Sequence, residues 1–207
     1  MIGCRINISL KIRVMTDSLV CIFITFIIIF TIYIHFENKY YNATYVKSSV
    51  DKRTYLVRNV DNKKIAADIL AEINLKLLEL IDYLDEIKGD NEKIKRLKNN
   101  YDPNNISESL ENSKYTSYSV NKGEKIVFCI RSKDKKQSIE NFNILMFVAI
   151  HELAHIMTMS IGHTTEFWGN FKFLLKHAVK LGIYYKNDFK KNPRDYCGIK
   201  ITDSPLN

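Results

Sequence analysis

The sequence predicts an α+β domain assembled around one apolar, histidine-bearing helix, with a separate apolar helix ahead of it. Three observations predict this class. The stretch "IENFNILMFVAIHELAHIMTMS" (139–160) is apolar on nearly every face, which suits a helix at the centre of a core. "YTSYSVNKGEKIVFCIRS" has strand-forming residues on both sides of "NKGE", where Gly123 supplies the backbone freedom of a tight turn, so it predicts a β-hairpin. Glycine and proline are few, seven and three among 207 residues, which argues against a turn-rich all-β fold and against low-complexity linkers.

Taken in chain order, residues 1–17 form a tail ahead of "SLVCIFITFIIIFTIYIHF", Ser18 to Phe36. This segment has no Asp, Glu, Lys or Arg. Nineteen residues at a rise of ~1.5 Å span roughly 28 Å, close to the hydrocarbon thickness of a bilayer. Thr25 and Thr31 can return their hydroxyls to the helix. A cleaved signal peptide would end in small residues, and this segment ends "IYIHFENKY". The expectation is an uncleaved single-pass membrane protein. Arg5, Lys11 and Arg13 precede the segment, and Lys39, Lys47, Lys52 and Arg53 follow it, so basic residues assign no side of the membrane.

Residues 37–52 read as a polar tether, and 53–207 as the folded domain. "RTYLVRNV" alternates as a short strand. Asp61 then caps a long helix with apolar Ile65, Ile69, Ile73, Leu77, Leu80, Leu84 and Ile87 at steps of three and four, ended by Gly89. A short basic helix over 91–99, a loop "YDPNNISES", the hairpin, the apolar helix, a further helix 164–182 closed by Gly182 and an extended "YCGIKIT" complete the order β-α-α-ββ-α-α.

The net charge is +8, but lysines alternate with acidic neighbours and no run of like charge stands out. The four cysteines form no C-x-x-C pair. Cys129 and Cys197, in the folded part, read as two buried free thiols that could pair only in an oxidising compartment.

"HELAH" places His151 and His155 one turn apart on one helix face, where two imidazoles can bind one ion. Glu152 sits one step round, off the metal but near enough to hold a metal-bound water. Zn²⁺ lowers that water's pKa to about 7, and a carboxylate can take its proton as it attacks a carbonyl. Small Ala154 leaves room for a substrate. A catalytic zinc needs a third protein ligand. His163, Glu166 and His177 are the candidates, with Asp188 lacking any surrounding motif; His177, between Lys176 and Ala178, reads better as a helix-surface histidine.

"HELAH" followed by "GHTTEFW" resembles the WLM and SprT-like metallopeptidases, which carry HExxH, then Gly-His and an aromatic a few residues on. The chain is most similar to a small membrane-anchored branch in nucleocytoplasmic large DNA viruses, with "NKGEKIVFCIR" and "NPRDYCG" as further matching segments. The resemblance covers roughly 53–206. It implies a zincin-like domain, zinc held by His151, His155 and His163, and Glu152 as catalytic acid/base. Seven residues separate His155 from His163, where WLM proteins usually have five. Local sequence also favours His163 over His177. Ile161-Gly162 can break the helix, His163 follows at once, Thr164 or Thr165 can cap the next helix, and Phe167 and Trp168 fall in its first turn.

The expected function is thus a membrane-anchored zinc metallopeptidase that hydrolyses polypeptide through a zinc-bound water activated by Glu152. The alternative is a catalytically inactive zinc-binding structural or assembly protein of a viral membrane. Glu152 discriminates, since a structural site has no need of an acid between its histidines. Relatives act on proteins crosslinked to DNA, so nucleic acid enters as a partner to test.

Overall fold

The computed structural model describes residues 18–34, 36, 42–134 and 137–207. The chain divides into two compact units, 1–42 and 43–207. The expected tail 1–17 and residues 37–41 of the expected tether lie outside the described residues.

In the first unit, residues 18–34 form helix α1, with apolar side chains exposed along its length. Thr25 and Thr31 donate their hydroxyls to the carbonyls of Ile22 and Ile28, both at 2.8 Å, so neither hydroxyl is left unsatisfied. Among the described residues, no helix is long and apolar enough to cross a membrane.

The second unit is a mixed five-stranded sheet with helices. Its elements are β1 (Ala43–Lys47), β2 (Thr54–Arg58), α2 (Lys63–Lys88), α3 (Glu92–Asn100), β3 (Ile106–Glu108), β4 (Tyr118–Val120), β5 (Lys125–Phe128), α4 (Phe142–Met157), α5 (Thr165–Lys180), β6 (Arg194–Tyr196) and β7 (Ile199–Ile201). The sheet order is β1-β2-β3-β5-β4, and β6-β7 pair separately. β2, β3 and β5 run parallel, while β1 and β4 close the edges antiparallel. Parallel neighbours need a long crossover; α2 and α3 supply it between β2 and β3.

Part of the stretch expected to be a tether is β1, which pairs with β2 over five residues. The Ser48–Lys52 turn that joins them is pinned to α2, where the Asp68 carboxylate accepts from the Ser48 and Ser49 hydroxyls and the Ser49 N–H. The expected loop around 101–109 contains β3. Its residues look polar, but Glu108 is buried against Arg131 at 2.6 Å and accepts the Arg58 N–H at 2.8 Å. A central strand carrying a buried ion pair has no hydrophobic signature.

The long helix forms as expected, but its buried stripe is rotated. Ala66, Ala67, Leu70, Ala71, Ile73, Asn74, Leu77, Leu80, Ile81 and Leu84 face the core, while Ile65 and Ile87 are exposed. The alanines let the helix sit close on the sheet. Asn74 belongs to a buried network, donating to Tyr55 Oη and accepting from Tyr101 Oη. Asn62, not Asp61, holds the N-cap position, and its side chain accepts from Arg131 instead of capping.

Cys129 and Cys197 are joined in a disulfide, not left as free thiols. They lie 68 residues apart, and only the meeting of the end of β5 with the β6–β7 turn brings them together.

Candidate metal centre

α4 begins where the Asn141 side chain accepts the N–H groups of Asn143 and Ile144. It is buried on almost every face, as its composition requires. His151 and His155 share the face that opens to a cleft, with ring centroids 5.0 Å apart. α4 stops at Thr158, whose hydroxyl turns back to the Ala154 carbonyl at 2.6 Å and receives Asn170 Nδ2 at 2.8 Å.

The return loop is held on both sides. Glu166 accepts from the Met159 N–H (3.2 Å), the Ser160 N–H (3.1 Å) and the Ser160 hydroxyl (2.8 Å). These bonds hold its carboxyl well below the usual range, at about 2. Lys122, in the β4–β5 turn, donates to the carbonyls of His155 and Ser160 at 3.2 and 2.8 Å. Gly162 adopts φ +81°, a conformation that disfavours a β-carbon, and delivers His163 to the other two histidines. Thr164 caps α5 by accepting the Phe167 N–H.

The three imidazoles form a near-equilateral triangle, with centroid separations of 5.0, 4.9 and 5.0 Å. One nitrogen from each lies within 4.8 Å of the others, and His151 Nε2 and His163 Nε2 are 3.0 Å apart. Tetrahedral zinc bonds of 2.0–2.1 Å would need nitrogens about 3.4 Å apart, so the donor set fits the ion. Beneath lies Phe167, fully buried, its ring 4.3 Å from His155, 4.7 Å from His163 and 4.9 Å from His151. Burial first, then the neighbouring imidazoles, pushes His151 down to about 3. Burial, His163 and Lys122 push His155 down to about 4. Both are neutral near pH 7, with a lone pair free to bind a metal.

Glu152 is buried and points into the same cleft, of about 500 Å³, whose opposite walls are the 117–122 hairpin and Ile161-Gly162. Burial pushes its carboxyl up to about 7, against hydrogen bonds from Ser119 that favour the charged form.

The structure therefore groups His151, Glu152, His155 and His163, and separates the other candidates. Both Glu166 oxygens are committed to the loop. The His177 ring packs against Phe173 and Tyr83. Asp188 receives the Lys191 N–H in its own turn. Lys122, Glu166 and Asn170 hold the loop in place, and nothing in their local sequence announces it.

A family model described as the WLM domain matches residues 85–206, more than half of the chain. The chain belongs to the WLM family. The protein R325 of Acanthamoeba polyphaga mimivirus is 37% identical over 175 residues, covering 79% of this chain and 85% of that protein. The protein 136R of Invertebrate iridescent virus 6 is 42% identical over 84 residues, covering 39% and 44%. These matches make the chain a WLM protein of the kind found in large DNA viruses. Among solved structures, Wss1 from Saccharomyces cerevisiae superposes with a TM-score of 0.45 at 21% identity, covering 61% of this chain and 88% of that one. The WLM match includes α4, the return loop, α5 and the β6–β7 hairpin.

Proposed function

We propose that this WLM protein is a zinc-dependent metallopeptidase, anchored to a membrane through residues 18–36. The observation that carries the reading is the convergence of three imidazoles and one buried carboxyl on a single open cleft. A zinc ion held by His151, His155 and His163 would supply Lewis acidity toward a peptide carbonyl and acidify a water. Glu152, with a pKa near 7, can take a proton from the attacking water and return it to the leaving amine near neutral pH. The extended wall 117–120 offers edge-strand backbone to a polypeptide. Lys122 spends its ammonium on two loop carbonyls, so the cleft presents a substrate with no strong ionic anchor. The exposed apolar side chains of α1 support the anchor, because contiguous apolar surface of this kind marks a membrane or protein interaction site.

The test is metal analysis of the full chain in detergent, with cleavage of an unfolded protein in the presence and absence of a chelator. One zinc per chain and cleavage abolished by the chelator are expected. Zinc without cleavage would leave the inactive assembly protein as the better reading.

A further inference from the structure

The β6–β7 hairpin carries "NPRDYCG" (192–198), a segment the proposed chemistry does not use. Its two-residue turn, Cys197-Gly198, puts both residues in the left-handed region, at φ 48° and 85°. Glycine adopts this freely, whereas cysteine does so only when its surroundings compel it. Here they do. Cys197 is bonded to Cys129, and its N–H donates to Glu140 at 3.0 Å.

The adjacent Tyr196 is fully buried, and its hydroxyl lies 2.6 Å from Ser117 Oγ. The same Ser117 oxygen accepts the Cys129 N–H at 3.0 Å. Tyr196, Ser117, Cys129 and Cys197 thus form a closed ring of contacts. Ser117 and Ser119 stand in the cleft wall opposite the histidines, and Ser119 hydrogen-bonds Glu152. The Glu152 charge also reaches the Tyr196 phenol, raising it further than burial alone. Among the described residues, β4 is an edge strand paired to β5 alone and at three positions, so its own ladder holds this wall weakly.

We propose that the Tyr196–Cys197 turn is a redox-set latch on the wall behind Glu152. Tyr196 is a positioning residue that orders 117–119 against the carboxylate, the disulfide keeps it there, and the cleft is complete only in the oxidised chain. The proposal rests on the peptidase reading above. Latching is thiol–disulfide exchange with an external disulfide such as oxidised glutathione. One S–S bond forms between Cys129 and Cys197, one breaks in the oxidant, and the two protons and two electrons leave on two glutathione thiols. A chain made in a reducing compartment stays unlatched until it meets an oxidising one.

The test uses the zinc-loaded full chain in detergent with dye-labelled casein, and compares Tyr196→Phe, the Cys129→Ala/Cys197→Ala pair and their combination. Tyr196→Phe should lower kcat about three- to tenfold, the worth of one hydrogen bond, with zinc content unchanged and KM little moved. The cysteine pair should lower kcat at least as far, and adding Tyr196→Phe to it should change nothing more. Amide exchange should quicken at 117–119 in all three variants and stay unchanged in α4. For the parent chain in glutathione buffers, turnover should follow the disulfide fraction read by thiol alkylation. A Tyr196→Phe kcat within twofold of the parent, or effects that multiply in the combined variant, would overturn the latch. If the parent chain cleaves nothing, the peptidase reading fails. Exchange at 117–119 then decides the latch alone, with no quickening overturning it.

Discussion

Phe167 is the side chain on which the three histidines rest, and truncating it separates ligand support from simple core filling. Phe167→Ala removes a fully buried ring that lies within 4.9 Å, centroid to centroid, of all three imidazoles. Phe→Ala in a core costs about 3–5 kcal/mol. That is a large part of the 5–15 kcal/mol that holds a domain folded. At roughly 2–4 °C per kcal/mol for a domain of this size, the melting temperature should fall by about 6–20 °C. Loss of a partner that orients metal ligands typically weakens the metal by about 10–100-fold, and here one ring packs on all three imidazoles of the proposed site. Phe171→Ala is the control. Phe171 is equally buried, but among the three histidine rings it contacts only His151, at 5.2 Å. It should cost similar stability and much less zinc affinity. The assay is thermal unfolding of the metal-free chain, with zinc affinity measured by competition against a chromophoric chelator. Equal losses of zinc affinity in the two variants would refute the reasoning, because the imidazoles would then owe their arrangement to the core in general.

Glu152→Gln should retain stoichiometric zinc and lose about 10²–10⁴ in turnover; wild-type-like rates would remove Glu152 from the mechanism. His163→Ala should lose zinc and activity together, whereas His177→Ala keeps both, as metal analysis of the purified variants would show. His151 and His155 have folded pKa values of about 3 and about 4, below an unfolded value of about 6.5. Their contribution to the metal-free chain is therefore present above pH ~6.5 and lost as the pH falls toward those values. Glu152, raised to about 7, acts in the opposite sense between about 4.5 and 7 and blunts the slope there. The fall in melting temperature should thus be steepest below pH ~4.5, and it should flatten in a variant with asparagine at 151 and 155. Equal slopes in the two chains would contradict the assignment.

Several features were legible in sequence because they follow the chain's own local periods. The four-residue spacing of His151 and His155 becomes a shared helix face wherever the helix forms. Glu152 lies one step round for the same reason. Gly162, His163 and Thr164 announce a break, a return and a cap within three residues, and the structure brings His163 to the other two histidines. The β4–β5 hairpin was equally legible, since its strands and turn lie within a dozen residues.

What the tertiary structure alone decided depends on which distant surfaces meet. β3 is a central strand because Glu108 finds Arg131 across 23 residues, and a charge is buried only when such a partner is already in place. β1 is a strand because β2 offers it an edge. The face that α2 buries was set by small alanines against the sheet, which a count of large apolar residues passes over. Cys129 and Cys197 look like two unrelated thiols until the end of β5 is laid beside the last hairpin. Lys122 and Glu166 look like ordinary surface charges until the return loop folds between them. Local spacing placed the three histidines in sequence, and long-range packing determined what holds them still.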